Sequence, residues 1–69
     1  MDGMLIYNGS RPDIVYSNGE LYGGLHCGDT FLCRLCNEWT PVRLEWMDDW
    51  TLWYKDHPYP IKYGLAVQI

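Results

Sequence analysis

Turn-forming residues punctuate this chain so closely that a helix of ordinary length has little room between them. Asn8-Gly9, Asn18-Gly19, Gly23-Gly24, Cys27-Gly28-Asp29, Asn37-Glu38, Asp48-Asp49 and Tyr63-Gly64 fall at short intervals along 69 residues. The runs between them are short and rich in β-branched and aromatic residues, a pattern that favours strands. Leu5-Ile6-Tyr7 is closed by Asn8-Gly9, and Asn18-Gly19 lies between Ile14-Val15-Tyr16 and Glu20-Leu21-Tyr22. An Asn-Gly pair between β-prone runs signals a hairpin, because both central residues of a type I′ turn need positive φ.

The middle of the chain gives the clearest alternation. From Thr30 to Cys36, Phe31, Cys33 and Leu35 share one face, opposite Leu32, Arg34 and Cys36. From Trp39 to Trp46, the spacing points Val42, Leu44 and Trp46 inward and Pro41, Arg43 and Glu45 outward. Pro41 cannot donate to a ladder, so an edge or bulge is expected there. Trp50 to Tyr54 forms a third strand with Trp50, Leu52 and Tyr54 on one side. Two prolines in Lys55-Asp56-His57-Pro58-Tyr59-Pro60 predict a loop, with room for a short helical turn. Leu65-Ala66-Val67-Gln68-Ile69 closes the fold as a strand with Leu65, Val67 and Ile69 inward. The expectation is one all-β domain over residues 1–69: a small SH3-like barrel or roll of five to six short antiparallel strands. Closure would remove the exposed edges that a sheet of this size otherwise leaves.

A chain this short buries only about 60% of its unfolded surface, so its core needs reinforcement. Four Trp, six Tyr and one Phe supply it, since each ring buries roughly 150–250 Å². The net charge is −4, and the basic residues stand singly at 11, 34, 43, 55 and 62. Nucleic-acid binding needs clustered Lys and Arg, so that partner class is disfavoured, as is an anionic membrane surface. No apolar run approaches the roughly 18 residues of a membrane-spanning helix. Met1-Asp2-Gly3-Met4 lacks the features of a signal peptide. Three cysteines cannot pair completely. Together these points predict a reduced, cytoplasmic protein.

Leu25-x-Cys27-Gly28-Asp29, Trp39-x-x-x-Arg43-Leu44-Glu45, Trp50-x-Leu52 and Gly64-Leu65-x-Val67 occur in that order. Over residues from about 20 to 69, this arrangement resembles a family of small bacterial domains of unknown function. The family is found in Gram-positive genomes, often near phage or conjugative elements. The resemblance implies a small β fold and a mobile-element setting, and it assigns no catalytic residue.

Several residue groups invite a chemical reading. His26, Cys27, Cys33 and Cys36 are enough ligands for a Cys₃His zinc site. Cys33 and Cys36, however, are three apart in an alternating run and face opposite sides, so buried structural cysteines are the simpler reading. His26, Cys27 and Asp29 include the residue types of a nucleophilic site, but such sites are normally assembled from distant segments. Asp48-Asp49 reads as turn chemistry. Gly23-Gly24 lacks the Lys-Ser/Thr that a phosphate loop requires. Arg43 and Glu45 share an outward face and suit surface pairing, and Asp29 is a second candidate partner for an arginine. No enzyme activity, cofactor or resident metal is expected.

The aromatic residues exceed what a core of this size encloses. Trp39 and Trp53 fall opposite the inward sets, while Tyr54, Tyr59 and Tyr63 cluster around the proline segment. Exposed Trp and Tyr favour contact surfaces, and aromatic grooves hold extended Pro-rich peptides. The sequence therefore predicts a non-enzymatic interaction module that uses these five rings to bind a protein partner or a second copy of itself. The alternatives are a mobile-element accessory or inhibitory factor acting on a basic protein, and a small zinc module.

Overall fold

The computed structural model describes residues 2–69. It contains seven strands: β1 (Asp2–Tyr7), β2 (Pro12–Tyr16), β3 (Thr30–Leu35), β4 (Glu38–Trp46), β5 (Trp50–Tyr54), β6 (His57–Pro60) and β7 (Ala66–Gln68). All pairings are antiparallel, within one open sheet of order β2-β1-β7-β3-β4-β5-β6. There is no helix among the described residues, so none is long and apolar enough to cross a membrane.

The alternation read from the sequence is what builds the core. Leu5, Ile14, Phe31, Cys33, Val42, Leu44, Leu52 and Val67 all point to one face, where Leu25 joins them from the loop before β3. Residues from six of the seven strands thus meet in one cluster, all but β6, and the sheet wraps around it as a small roll.

The strand count exceeds the expected five to six, chiefly because the proline segment is a strand and not a loop. Lys55 and Asp56 both take positive φ, at 51° and 62°. They form a two-residue turn that pairs Tyr54 with His57 and continues to Thr51 opposite Pro60. Prolines are tolerated there because β6 lies at the sheet edge. Glu20-Leu21-Tyr22, by contrast, makes only an isolated bridge between Val15 and Leu21. It runs along β2, where Ile14 O accepts the Tyr22 amide at 2.8 Å and Pro12 O accepts that of Leu25 at 2.8 Å.

The type I′ geometry also sits elsewhere than expected. Cys36 and Asn37, with φ of 49° and 65°, turn β3 into β4, so the strand stops at Leu35. Asn8 and Asn18 act through their side chains: Asn8 Oδ1 accepts the Ser10 and Arg11 amides, and Asn18 Oδ1 accepts that of Glu20.

Candidate functional site

The β1–β7 register, Asp2 with Gln68 and Met4 with Ala66, continues past the end of β7. Leu5 donates to Leu65 O at 2.9 Å, and Gly64 donates to Leu5 O at 2.7 Å. This extension carries Tyr63 to Tyr7, their centroids 5.7 Å apart at 68°. Gly64 stands at φ 97°, a conformation in which a side chain would be strained.

A second aromatic pair forms at the β4–β5 hairpin. Trp46 and Trp50 are directly opposite in the register, and their rings meet edge to face at 5.0 Å and 74°. The connecting turn is tight, with the Met47 amide on Asp49 O at 2.8 Å and Asp48 at φ 64°. Asp49 Oδ1 accepts the Trp50 amide at 2.8 Å.

The two pairs line one open cleft of about 930 Å³, within the size range of small binding sites. Arg11 from the β1–β2 connection, His26 and Cys27 from the loop before β3, and Asp49 complete much of its wall. Tyr7, Trp46 and Tyr63 are 51%, 55% and 42% exposed, so the cleft presents aromatic surface that the fold leaves open to contact. Burial, with the neighbouring Tyr7 and Asp49, raises the Tyr63 phenol above its ordinary value. Arg11 is tethered: its guanidinium carbon lies 6.0 Å from the centre of the Trp50 ring, and Nη1 donates to Leu25 O at 3.3 Å.

The five rings singled out in the sequence occupy three places. Tyr63 belongs to this cleft. Tyr54 and Tyr59 are 6.5 Å apart and border a separate groove of about 420 Å³ whose floor includes Val42, Leu52 and Leu65. Trp39 and Trp53 lie on the outer face, under Arg34 at 5.4 Å and Arg43 at 6.0 Å respectively. Arg43 also pairs with Glu45 at 2.7 Å. Tyr7, Trp46 and Trp50 were missed as site residues. Trp46 has the inward alternation assigned to it, but it ends its strand and so reaches the rim beyond the core.

The four candidate zinc ligands are not brought together. Cys33 is buried in the core, Cys36 is exposed in the β3–β4 turn, and Cys27 is exposed in the loop before β3. Among the described residues, no group of three or more His, Cys, Asp or Glu could hold a metal ion. Asp29 fixes its own turn, its Oδ2 accepting the His26 amide at 2.8 Å, in place of the arginine pair considered from the sequence.

The model of a family described as a domain of unknown function (DUF5348) matches residues 3–69. A crystal structure of a protein from Ruminococcus gnavus is similar to this chain, with 36% identity, a TM-score of 0.81 and complete coverage of both chains. No curated protein matches the chain.

Proposed function

We propose that this chain, which belongs to the DUF5348 family of domains of unknown function, is a non-enzymatic interaction module that holds a protein partner in its aromatic cleft. The single observation that supports this reading is the meeting of two edge-to-face ring pairs, Tyr7–Tyr63 and Trp46–Trp50, around one open cleft. Edge-to-face packing holds the rings in place, so they offer stiff contact area at small entropic cost. The contact surface predicted from the sequence is thereby narrowed to Tyr63 and joined by Tyr7, Trp46 and Trp50.

Addition of a partner strand to the sheet is a poor mode of contact for this fold. At the β6 edge, Pro58 and Pro60 alternate with His57 and Tyr59, which carry the ladder to β5. The outward positions are therefore prolines, without an N–H to offer. At the opposite edge, β2 is covered by residues 20–25 through the Tyr16, Tyr22 and Leu25 amide bonds. Side-chain contact with the cleft is the mode that remains open.

The test compares partner capture from the source cell by the native chain, by a Trp46→Ala/Tyr63→Ala variant and by a Trp53→Ala/Tyr59→Ala variant. Near-ultraviolet circular dichroism checks each fold. Loss of a discrete partner only in the first variant supports the cleft. Loss only in the second moves the contact surface to the other rings, and equal capture by all three removes the reading.

A further inference from the structure

The basic side chains of this protein are used in an unusual way. Of its five Lys and Arg, four lie over aromatic rings: Arg11 over Trp50, Arg34 over Trp39, Arg43 over Trp53 and Lys55 over Tyr54. Three of the four tryptophans thus carry an arginine of the same chain. Among the described residues, Trp46 carries none, and it is 55% exposed on the rim of the cleft. Its edge-to-face contact with Trp50 covers one side of the ring system at most.

From this we propose that the Trp46 end of the cleft takes a cationic side chain, arginine or lysine, from a basic segment of the partner. The inference rests on the reading of the cleft as the contact surface and adds the chemistry of the occupant. A cation over an indole face is attracted by the ring quadrupole, most strongly where water is excluded. Asp49, three residues after Trp46 in the same turn, supplies a carboxylate in the cleft wall. Burial is the main cause of the raised Tyr63 phenol, with Tyr7 and then Asp49 adding to it. The charged groups of the cleft are Asp49 and Arg11, with His26 beside them. Arg11 is already engaged by Trp50 and Leu25 O, which leaves Asp49 as the carboxylate facing an incoming group. At longer range the net charge of −4 attracts a basic segment and repels a second copy of the chain.

The experiment titrates the full ¹⁵N-labelled chain with acetyl-Gly-Arg-Gly-Arg-Gly-amide and with the same peptide carrying citrulline in place of arginine. Citrulline keeps the shape and removes the charge. The four tryptophan indole N–H signals report the site. The arginine peptide is expected to bind about three- to thirtyfold more tightly than the citrulline peptide. The signals of Trp46 and Trp50 should move while those of Trp39 and Trp53 stay. Trp46→Leu should remove the preference. Asp49→Asn, which keeps the oxygen that accepts the Trp50 amide, should reduce the preference and flatten its salt dependence.

Equal binding of both peptides, movement confined to Trp39 and Trp53, or no movement at all overturns the proposal. If the peptides bind alike while Trp46→Ala/Tyr63→Ala still abolishes partner capture, the cationic chemistry falls and the contact surface stands. If that variant leaves capture untouched, the contact surface itself falls.

Discussion

Asp13 lies buried beneath the Gly23-Gly24 corner, and its Oδ1 accepts the Gly24 amide at 2.9 Å. The same oxygen accepts the amides of Gly23 at 3.0 Å and Ile14 at 2.8 Å, while Asn8 Nδ2 donates to Oδ2 at 3.1 Å. One carboxylate therefore ties the covering segment to β2 and to the β1–β2 turn.

Removing that carboxylate leaves several amides without a partner. Each buried donor left unsatisfied costs about 1–3 kcal/mol, and a domain of this size has about 5 kcal/mol in total. Asp13→Ala should lose on the order of 2–4 kcal/mol in urea denaturation. Asp13→Asn, which keeps an acceptor oxygen, should lose less.

The same group sets an acid dependence. Burial alone would raise the Asp13 pKa, but the hydrogen bonds from Gly24, Asn8, Ile14 and Gly23 outweigh it and hold the carboxyl below its ordinary 3.8. A lowered folded-state pKa gives stability that is present above the unfolded value and is lost as pH falls through the folded one. Native stability should therefore decline below about pH 4, and Asp13→Asn should flatten that decline, as followed by thermal melts across the acid range.

At Gly3, the second residue of β1, the packing of β2 leaves no space for a side chain. A Cβ there would stand 2.5 Å from Ile14 Cγ2 and 2.8 Å from Val15 O. Gly3→Ala should cost about 1–3 kcal/mol, the usual range for overpacking, measured as a lower urea midpoint at unchanged slope.

The cysteines should separate by reactivity. Burial pushes the Cys33 thiol up to about 11, while Cys27 and Cys36 are exposed. Under native conditions a thiol reagent should label Cys27 and Cys36 and reach Cys33 only on unfolding, which mass spectrometry of the labelled peptides will show.

What the sequence made legible was local alternation. Phe31 and Cys33, Val42 and Leu44, and Leu52 declare their inward faces at spacing two, and all are buried in the core. The turn after β3 was read one residue late, at Asn37-Glu38, and that at Lys55-Asp56 was hidden by the two prolines that follow it, which read as a loop; the pairing of the flanking strands fixes positive φ at all four residues. The site was hidden for a related reason. Tyr7 and Tyr63 meet only through the β1–β7 register, a long-range pairing that no window of sequence displays. Trp46 and Trp50 were visible as neighbours across a hairpin. That they end at a shared cleft with the tyrosines depends on where four connections converge.

The most direct test of the cleft as contact surface is site-specific photocrosslinking in the source cell, with a photoreactive phenylalanine analogue at position 63 in one variant and at position 39 in another. Tyr63 lies in the cleft and Trp39 lies on the outer face. The account predicts a discrete crosslinked protein from position 63 and none from position 39. A discrete product from position 39 with none from position 63 would contradict it.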